Sequence, residues 1–383
     1  MPSDRSTLST AEVDAILTAT ATSRLMNGRN QVNFLGNVTT PTLNMLRAQG
    51  KANATPIRGA YKCYLSGQRG QKLQSVSGRD IHTFRSVDTL FDLEFSVGRV
   101  HLGDEWVHQQ LEEAGVGIDY SQVYKTIDVS AKGWWSKGAD AFEVLVDLAD
   151  QKLQSLEQNY VQELNKLLWR SNISDAKLWP GMDSLLSWSS NTSGPVGNKS
   201  RSNPLLRHQL GAISNTADIE LKLDDLRFYA NKRVNDGTKL NYNVCGRTFY
   251  NAVKERFFSG SSTVSTARVV RNYDQARAEA QANSQKLGVG FPDDAIFIAG
   301  VGNLMVEPVF EDLDKEDAPA IPWEKRYCGL NLGHISFKAS KGKDGSKKVH
   351  ATPYNQLVTR ISAYGEYALM ADWLDCHAVG YVS

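Results

Sequence analysis

The pattern that most restricts how this chain can fold lies at residues 139–171. Phe142, Leu145, Ala149, Leu153, Leu156, Tyr160, Leu164 and Leu167 follow one another in steps of 3, 4, 4, 3, 4, 4 and 3, the period of one face of an α-helix. Neither Gly nor Pro interrupts the run. At about 1.5 Å per residue it predicts a helix nearly 50 Å long, well beyond the usual length of about three turns. Such a helix must cover its apolar face, either as a strut laid on a sheet or as one strand of a coiled coil. The seam is short and the flanks carry no further heptads, which favours the strut. Trp179-Pro180-Gly181 then reads as the breaker that ends it.

The rest of the chain is mixed. Ser9-Thr10-Ala11-Glu12 fits a capping box before a short stripe at Val13, Ile16 and Leu17. The polar run from Thr18 to Ala54 buries little by itself and reads as an arm lying along something else, with free disorder as the alternative. Residues 58–85 read as an extended hairpin or long loop, with Tyr61, Cys63 and Leu65 alternating and a strand pattern resuming near Ile81. Further helices are predicted at about 222–235, 248–258 and 273–287, and strands at 241–245, 295–301 and 304–310. Pro308 makes the last of these an edge strand. Near the C-terminus, strands are predicted at 334–338, 356–361, 367–370 and 377–382, with a basic Asp-Gly turn over 341–348. The elements together give an α+β chain.

Hydrophobic residues are 41% and charged residues 22% of the 383, a globular composition that excludes collagen-like and disulfide-scaffold chains. Cys63, Cys245, Cys328 and Cys376 are scattered, so no zinc or redox pair is spelled out. The N-terminus lacks a signal-peptide pattern, and the longest charge-free apolar stretch, 295–306, is too short for a bilayer. The expectation is a protein made in a cytoplasm, with no membrane partner.

The formal net charge is only +1, which speaks against a dedicated nucleic-acid binder. That total hides a segregation. Residues 58–85 carry Arg58, Lys62, Arg69, Lys72, Arg79 and Arg85 against Asp80, whereas 86–119 carry eight acids, including Asp104, Glu105, Glu112 and Glu113, against Arg99. The two blocks are either separate solvated faces or a basic projection that docks on an acidic patch of a neighbouring copy. The second reading makes Arg69, Lys72, Arg79, Asp104, Glu105, Glu112 and Glu113 candidate intersubunit contacts.

Catalytic motifs are lacking: no GxSxG, Walker loop, GxGxxG or HExxH occurs. Were residues 101–108 helical, His101, Asp104, Glu105 and His108 would share a face and form a conceivable metal cluster, the one foothold for an enzyme. The adjacent Glu112 and Glu113 would diverge on a helix and form no acid–base dyad. The five acids of Glu311–Asp317 read as a solvated loop. The expectation is no catalytic, cofactor or metal residue.

Three local segments carry a resemblance. They are Phe95-Ser96-Val97-Gly98-Arg99-Val100-His101-Leu102-Gly103-Asp104-Glu105-Trp106-Val107, Pro180-Gly181-Met182-Asp183-Ser184-Leu185, and Val196-Gly197-Asn198-Lys199-Ser200-Arg201-Ser202-Asn203-Pro204. In this order, around one very long helix, they resemble the major capsid proteins of tailed bacteriophages, the Hong Kong 97-type fold. One branch of that family often places tryptophans after the Asn-Pro, where this chain has Leu205 and Leu206.

The resemblance implies an N-terminal arm at 1–57, an E-loop at 58–100 and a peripheral domain at 101–172 whose spine helix is 139–171. It further implies an axial domain at 173–330 and C-terminal strands at 331–383 that return to both. It implies self-assembly into pentamers and hexamers of an icosahedral shell around double-stranded DNA, a virion location and assembly in the host cytoplasm. Scaffolding, decoration and portal proteins would be further partners. The alternative within the fold is an encapsulin-like nanocompartment shell.

Overall fold

The computed structural model describes residues 7–9, 40–49, 61–66, 90–107, 117–119, 139–203, 206–232, 239–258, 296–298, 302–340, 342–350 and 358–383. The strands, in chain order, begin with β1 (Thr7–Ser9), β2 (Tyr61–Ser66), β3 (Leu90–Phe95), β4 (Gly98–Val107) and β5 (Gly117–Asp119). Next come β6 (Pro195–Val196), β7 (Lys199–Ser200), β8 (Gln209–Ile213), β9 (Tyr242–Cys245), β10 (Ile296–Ile298) and β11 (Gly302–Val306). The last are β12 (Arg326–Leu330), β13 (Ile335–Ala339), β14 (Ser346–His350), β15 (Val358–Ala371) and β16 (Ala378–Val382). Helices occupy Pro41–Gln49, Ala139–Trp169, Met182–Leu185, Ile219–Lys232, Arg247–Phe258 and Val309–Asp317.

The long helix runs for 31 residues, as its period predicts. Leu153, Leu156, Tyr160, Leu164 and Leu168 are buried along it, while Leu167 is half-buried. The stop comes earlier than Trp179-Pro180-Gly181. Asn172 adopts a left-handed φ of 54°, and its side-chain amide donates to the Leu167 carbonyl at 2.6 Å, satisfying one of the last orphan acceptors of the helix.

The chain divides into two units. The first comprises Met1–Val38, Arg99–Leu164 and Ser340–Glu366. In it β1 pairs parallel with β5, and β14 runs antiparallel to the first half of β15, from Ser346↔Tyr364 to His350↔Arg360. Tyr160 lies beneath Gly345 and Glu157 is ion-paired with Lys347, which sets the turn and β14 against the buried face of the helix. Glu366 is almost fully buried and accepts from Lys343 Nζ at 2.7 Å, Arg99 Nε at 3.0 Å and the Tyr364 hydroxyl. Burial alone would raise the pKa of this carboxyl, but its bonds to Lys343, Tyr364 and Ser340 outweigh that and hold it below the usual range.

The second unit comprises Thr39–Gly98, Asn165–Ala339 and Tyr367–Ser383. Its centre is a six-stranded mixed sheet in the order β10-β11-β9-β12-β16-β8. Every residue of β9 and β12 is buried, as expected of central strands covered on both faces. Helix Ile219–Lys232 buries Ile219, Leu223, Leu226 and Ala230, and helix Arg247–Phe258 buries Phe249, Tyr250 and Val253, in one apolar cluster with Tyr327, Cys245 and Val382. Cys245, Cys328 and Cys376 are buried free thiols. Burial pushes the Cys245 and Cys328 thiols well up, so both stay protonated. In the same unit β2 pairs antiparallel with β3, from Tyr61↔Phe95 to Ser66↔Leu90, and forms the base of a hairpin.

Four expectations are corrected. The strand foreseen at 304–310 is β11, which ends at Val306 and lies between β10 and β9, so it is not an edge. Pro308 instead precedes helix Val309–Asp317, where its φ of −62° suits a helix start. The acids Glu311–Asp317 are therefore not a loop. Glu311 and Asp312 fall in the first helical turn, favoured by the dipole, and Asp314 Oδ1 and Oδ2 accept from the backbone N–H groups of Trp323 and Glu324 at 2.6 and 2.8 Å.

The strands foreseen at 356–361 and 367–370 are one strand, β15. It continues past Gly365 because the Glu366 backbone accepts from Ser340 N–H and donates to the Lys343 carbonyl. Lys347 and Lys348 belong to β14 and not to the turn before it. The helix foreseen at 273–287 and the capping box at Ser9–Glu12 lie outside the described residues, apart from Ser9 at the end of β1. Within the polar run, helix Pro41–Gln49 buries Thr42, Leu43, Met45 and Leu46 in the second unit, and Thr40 just before it is buried too.

Candidate functional site: a junction at the end of the long helix

The start of the first segment singled out in the sequence, Phe95–Gly98, meets the other two segments in the second unit, at the C-terminal end of the long helix. Gly181 brings its backbone so near Ser171 and Arg170 that its N–H donates to the Ser171 carbonyl at 3.3 Å. A Cβ there would drive into the Arg170 carbonyl oxygen. Gly98 lies against Trp179 in the same way, with a Cβ falling 2.5 Å from the Trp179 nitrogen. Ser96 Oγ donates to the Leu178 carbonyl at 3.5 Å, and Asn198 Oδ1 accepts from Glu94 N–H at 3.3 Å. Glycine is needed at both positions because two backbones touch there with no room for a side chain.

Arg201 locks the third segment to the second. It is 1% exposed, and its guanidinium donates to the carbonyls of Ser184 and Ser190 and to His208 Nδ1 at 3.1 Å. His208 Nε2 donates in turn to the Ser187 carbonyl at 2.8 Å. Burial first, and then the neighbouring Arg201, lower the His208 pKa to about 3, so the ring is neutral. Arg201 itself is pushed down to about 10 by burial, partly offset by Asp183, and stays charged at neutral pH.

Beside it, Trp169, Trp188, Phe310 and Trp323 form an aromatic cluster, with Trp169 and Phe310 edge to face at 4.8 Å. Arg326 lies over Trp323 at 3.8 Å and Trp188 at 5.0 Å and reaches Asp183 of the Pro-Gly-Met-Asp turn at 3.5 Å. Burial raises the Asp183 pKa, against the opposing pull of Arg326. The helix end is tied further by Lys166 to Glu316 at 2.7 Å, and by Arg170 to Glu316 at 2.6 Å and Asp317 at 2.8 Å. Chemically, the junction places a neutral imidazole and two buried guanidiniums on carbonyls and rings. This arrangement fixes backbone against backbone.

The predicted contact residues are distributed differently. Asp104 and Glu105 sit on β4, so the helical face that would have grouped His101, Asp104, Glu105 and His108 does not form. In a strand, alternation sends His101 and Glu105 to one side and Asp104 to the other. No group of three metal-binding side chains occurs among the described residues. Glu105 is exposed and pairs with Arg360 of the same chain at 3.6 Å, and Asp104 Oδ1 accepts the Glu105 N–H at 2.8 Å. Arg69, Lys72, Arg79, Glu112, Glu113 and His108 lie outside the described residues. The β2–β3 hairpin base brackets the first three in sequence. Sequence reasoning missed the Arg326 sandwich and the roles of Arg201 and His208. Their signal was a single arginine inside a resembling segment.

No family model matches the sequence, and no curated protein matches it. Solved structures do match. The cyanophage A-1(L) capsid asymmetric unit aligns over 94% of this chain and 97% of its own, at 12% identity and a TM-score of 0.50. The capsid of an empty GTA particle aligns over 91% and 98%, at 8% identity and a TM-score of 0.50. The fold is that of a phage capsid protein. The holo-SrpI encapsulin complex from Synechococcus elongatus PCC 7942 also aligns, over 94% of each chain at 11% identity, with a TM-score of 0.43. Within this capsid fold, the junction is the point where the long helix, the turn after it and the strand entering β4 are pinned together.

Proposed function

We propose that this chain is the major capsid protein of a tailed bacteriophage, built on the Hong Kong 97 plan, and that copies of it close into the pentamers and hexamers of an icosahedral shell around double-stranded DNA. The observation that carries the reading is the agreement in fold with the cyanophage capsid subunit across nearly the whole of both chains. In the terms of that plan, residues 1–57 are the arm and 58–100 the E-loop. Residues 101–172 are the peripheral domain with its spine helix, 173–330 the axial domain, and 331–383 the strands that return to both. Heterologous contacts that close into rings suit a chain of this kind. Scaffolding, decoration and portal proteins are the further partners, the finished location is the virion after assembly in the host cytoplasm, and no catalytic step is assigned.

Negative-stain microscopy of the full-length recombinant protein, with scaffold supplied, tests this reading. Closed shells or rings are expected, and a stable monomer under all conditions would overturn it. Nucleic acid inside shells recovered from phage-producing cells is the result expected of a virion shell, and an enclosed enzyme would mark a nanocompartment.

Arg69, Lys72 and Arg79 are proposed to meet acidic groups of an adjacent copy, with Glu112 and Glu113 as candidates and Asp104 and Glu105 presented from β4. Because the Debye length is about 8 Å at physiological salt, the attraction acts only at close approach. Reversing all three basic charges should reduce particle yield and lower the salt concentration at which shells fall apart. Unchanged assembly and unchanged salt resistance would sink the contact.

A further inference from the structure

One buried carboxyl takes no part in the junction. Glu307 is 1% exposed and stands directly after β11, where its N–H donates to the Cys245 carbonyl at 3.0 Å. Oε2 accepts from both the N–H and the hydroxyl of Thr42, on helix Pro41–Gln49, and Oε1 accepts from Asn165 Nδ2 at 3.1 Å, on the long helix. The Tyr242 hydroxyl, from β9, donates to Thr42 Oγ1 at 3.2 Å. A single side chain therefore ties helix Pro41–Gln49 to the sheet and to the helix end, all within the second unit.

The groups around it are uncharged. Thr42 and Asn165 are polar and neutral. Tyr242 is held far above its ordinary pKa by burial and by Glu307, so it remains a donor. From β9 and β12 come Cys245 and Cys328, both kept as thiols. Charged side chains on the packed elements have other partners: Lys166 and Arg170 bind Glu316 and Asp317, and Glu311 binds Arg247. Arg47, on the same helix as Thr42, is half-buried and is not among the groups that bond the Glu307 carboxyl. Three donors, Thr42 N–H, the Thr42 hydroxyl and Asn165 Nδ2, reach the carboxyl and favour its anion, whereas full burial with no cation among its partners disfavours any charge there.

We propose that Glu307 is a proton-dependent latch on helix Pro41–Gln49: protonated, it holds the helix in the second unit, and on losing its proton it favours release of the helix from its seat. The direction follows from linkage. Burial raises the Glu307 pKa from an ordinary 4.5 to about 7, although its bonds to Thr42 and Asn165 act the other way. A group that keeps its proton when docked and loses it when exposed binds more protons in the docked state, so docking is strongest at low pH. It weakens as pH climbs from 4.5 to about 7 and is constant above that. The span corresponds to about a 300-fold change in the opening equilibrium.

The test is amide hydrogen exchange of the full-length chain, corrected for intrinsic rates, read on the peptide covering 40–49. Its protection should fall roughly tenfold per pH unit between 4.5 and 7 and then level off. Glu307→Gln should abolish the slope, since the amide keeps an acceptor for Thr42 and carries no proton to lose. Thr42→Val removes one donor that steadies the anion, so the upper bend should move above pH 7. Helix Arg247–Phe258 is the internal reference. A flat profile in the parent protein, an equal slope in Glu307→Gln, an unmoved bend in Thr42→Val, or the same slope in the reference helix would each overturn the latch.

Discussion

Gly181→Ala should prevent the second unit from reaching its native packing, with a loss of about 3 kcal/mol or more in unfolding free energy. The added methyl would occupy the space of the Arg170 carbonyl oxygen, with the Leu167 and Leu168 carbonyls behind it at 2.9 Å. Backbone oxygens cannot rotate aside as a flexible side chain would, so either the helix end or the Pro180–Asp183 turn must move. Either movement disturbs Asp183 on Arg326 and the Arg201 bond to Ser184. Gly342→Ala is the matched control. Its φ is +74° but nothing lies within 4 Å of the added atom, so only the left-handed backbone penalty of about 1–2 kcal/mol applies. Chemical denaturation of both variants measures the difference. Equal losses would mean that close approach at Gly181 is not what holds the junction.

Leu156→Asp should be as severe in the first unit. Leu156 is 3% exposed, between Leu153 and Tyr160 on the buried face of the long helix. A carboxylate there would be desolvated beside an apolar surface, and the nearby ion pair of Glu157 and Lys347 is already complete. An unpaired buried charge costs several kcal/mol, about the whole stability of a domain. Soluble, folded protein should disappear on expression. Ser155→Asp, one position away on the exposed face, should leave the yield unchanged and so separate burial from helix propensity. Normal yield of Leu156→Asp would show that this face is not covered.

The elements that the sequence made legible are those whose signal is periodic and local. The stripe from Phe142 to Leu167 could only be a helix, and the runs around Leu223, Phe249 and Val244 carried the same kind of information. What escaped depended on partners far along the chain. The acids of Glu311–Asp317 look solvated until Asp314 is seen capping Trp323 and Glu324. Helix Pro41–Gln49 has a weak apolar pattern of its own, and its burial is a property of the sheet it meets. Gly365 looks like a break because its sequence does not reveal that the neighbouring Glu366 is bonded on both backbone atoms.

The junction was legible as three segments and illegible as one place. Nothing local says that Gly98 must fit against Trp179, or that Arg201 will be buried on Ser184. The charge segregation is arithmetic on the residues alone, and one of those acids, Glu105, has a partner, Arg360, inside its own chain. Glu307 had no signal at all. It is a lone acid between Val306 and Pro308, and only the approach of Thr42 and Asn165 gives it a role.

The three buried thiols have a kinetic consequence. Cys245 and Cys328 stand on neighbouring central strands and Cys376 lies in the turn before β16, all closed to reagents while the sheet is intact. A thiol probe can therefore react with them only during excursions in which the sheet opens, and at probe concentrations where reaction outpaces reclosing its rate counts those excursions. Cys245, Cys328 and Cys376 thus give the second unit its own clock for opening.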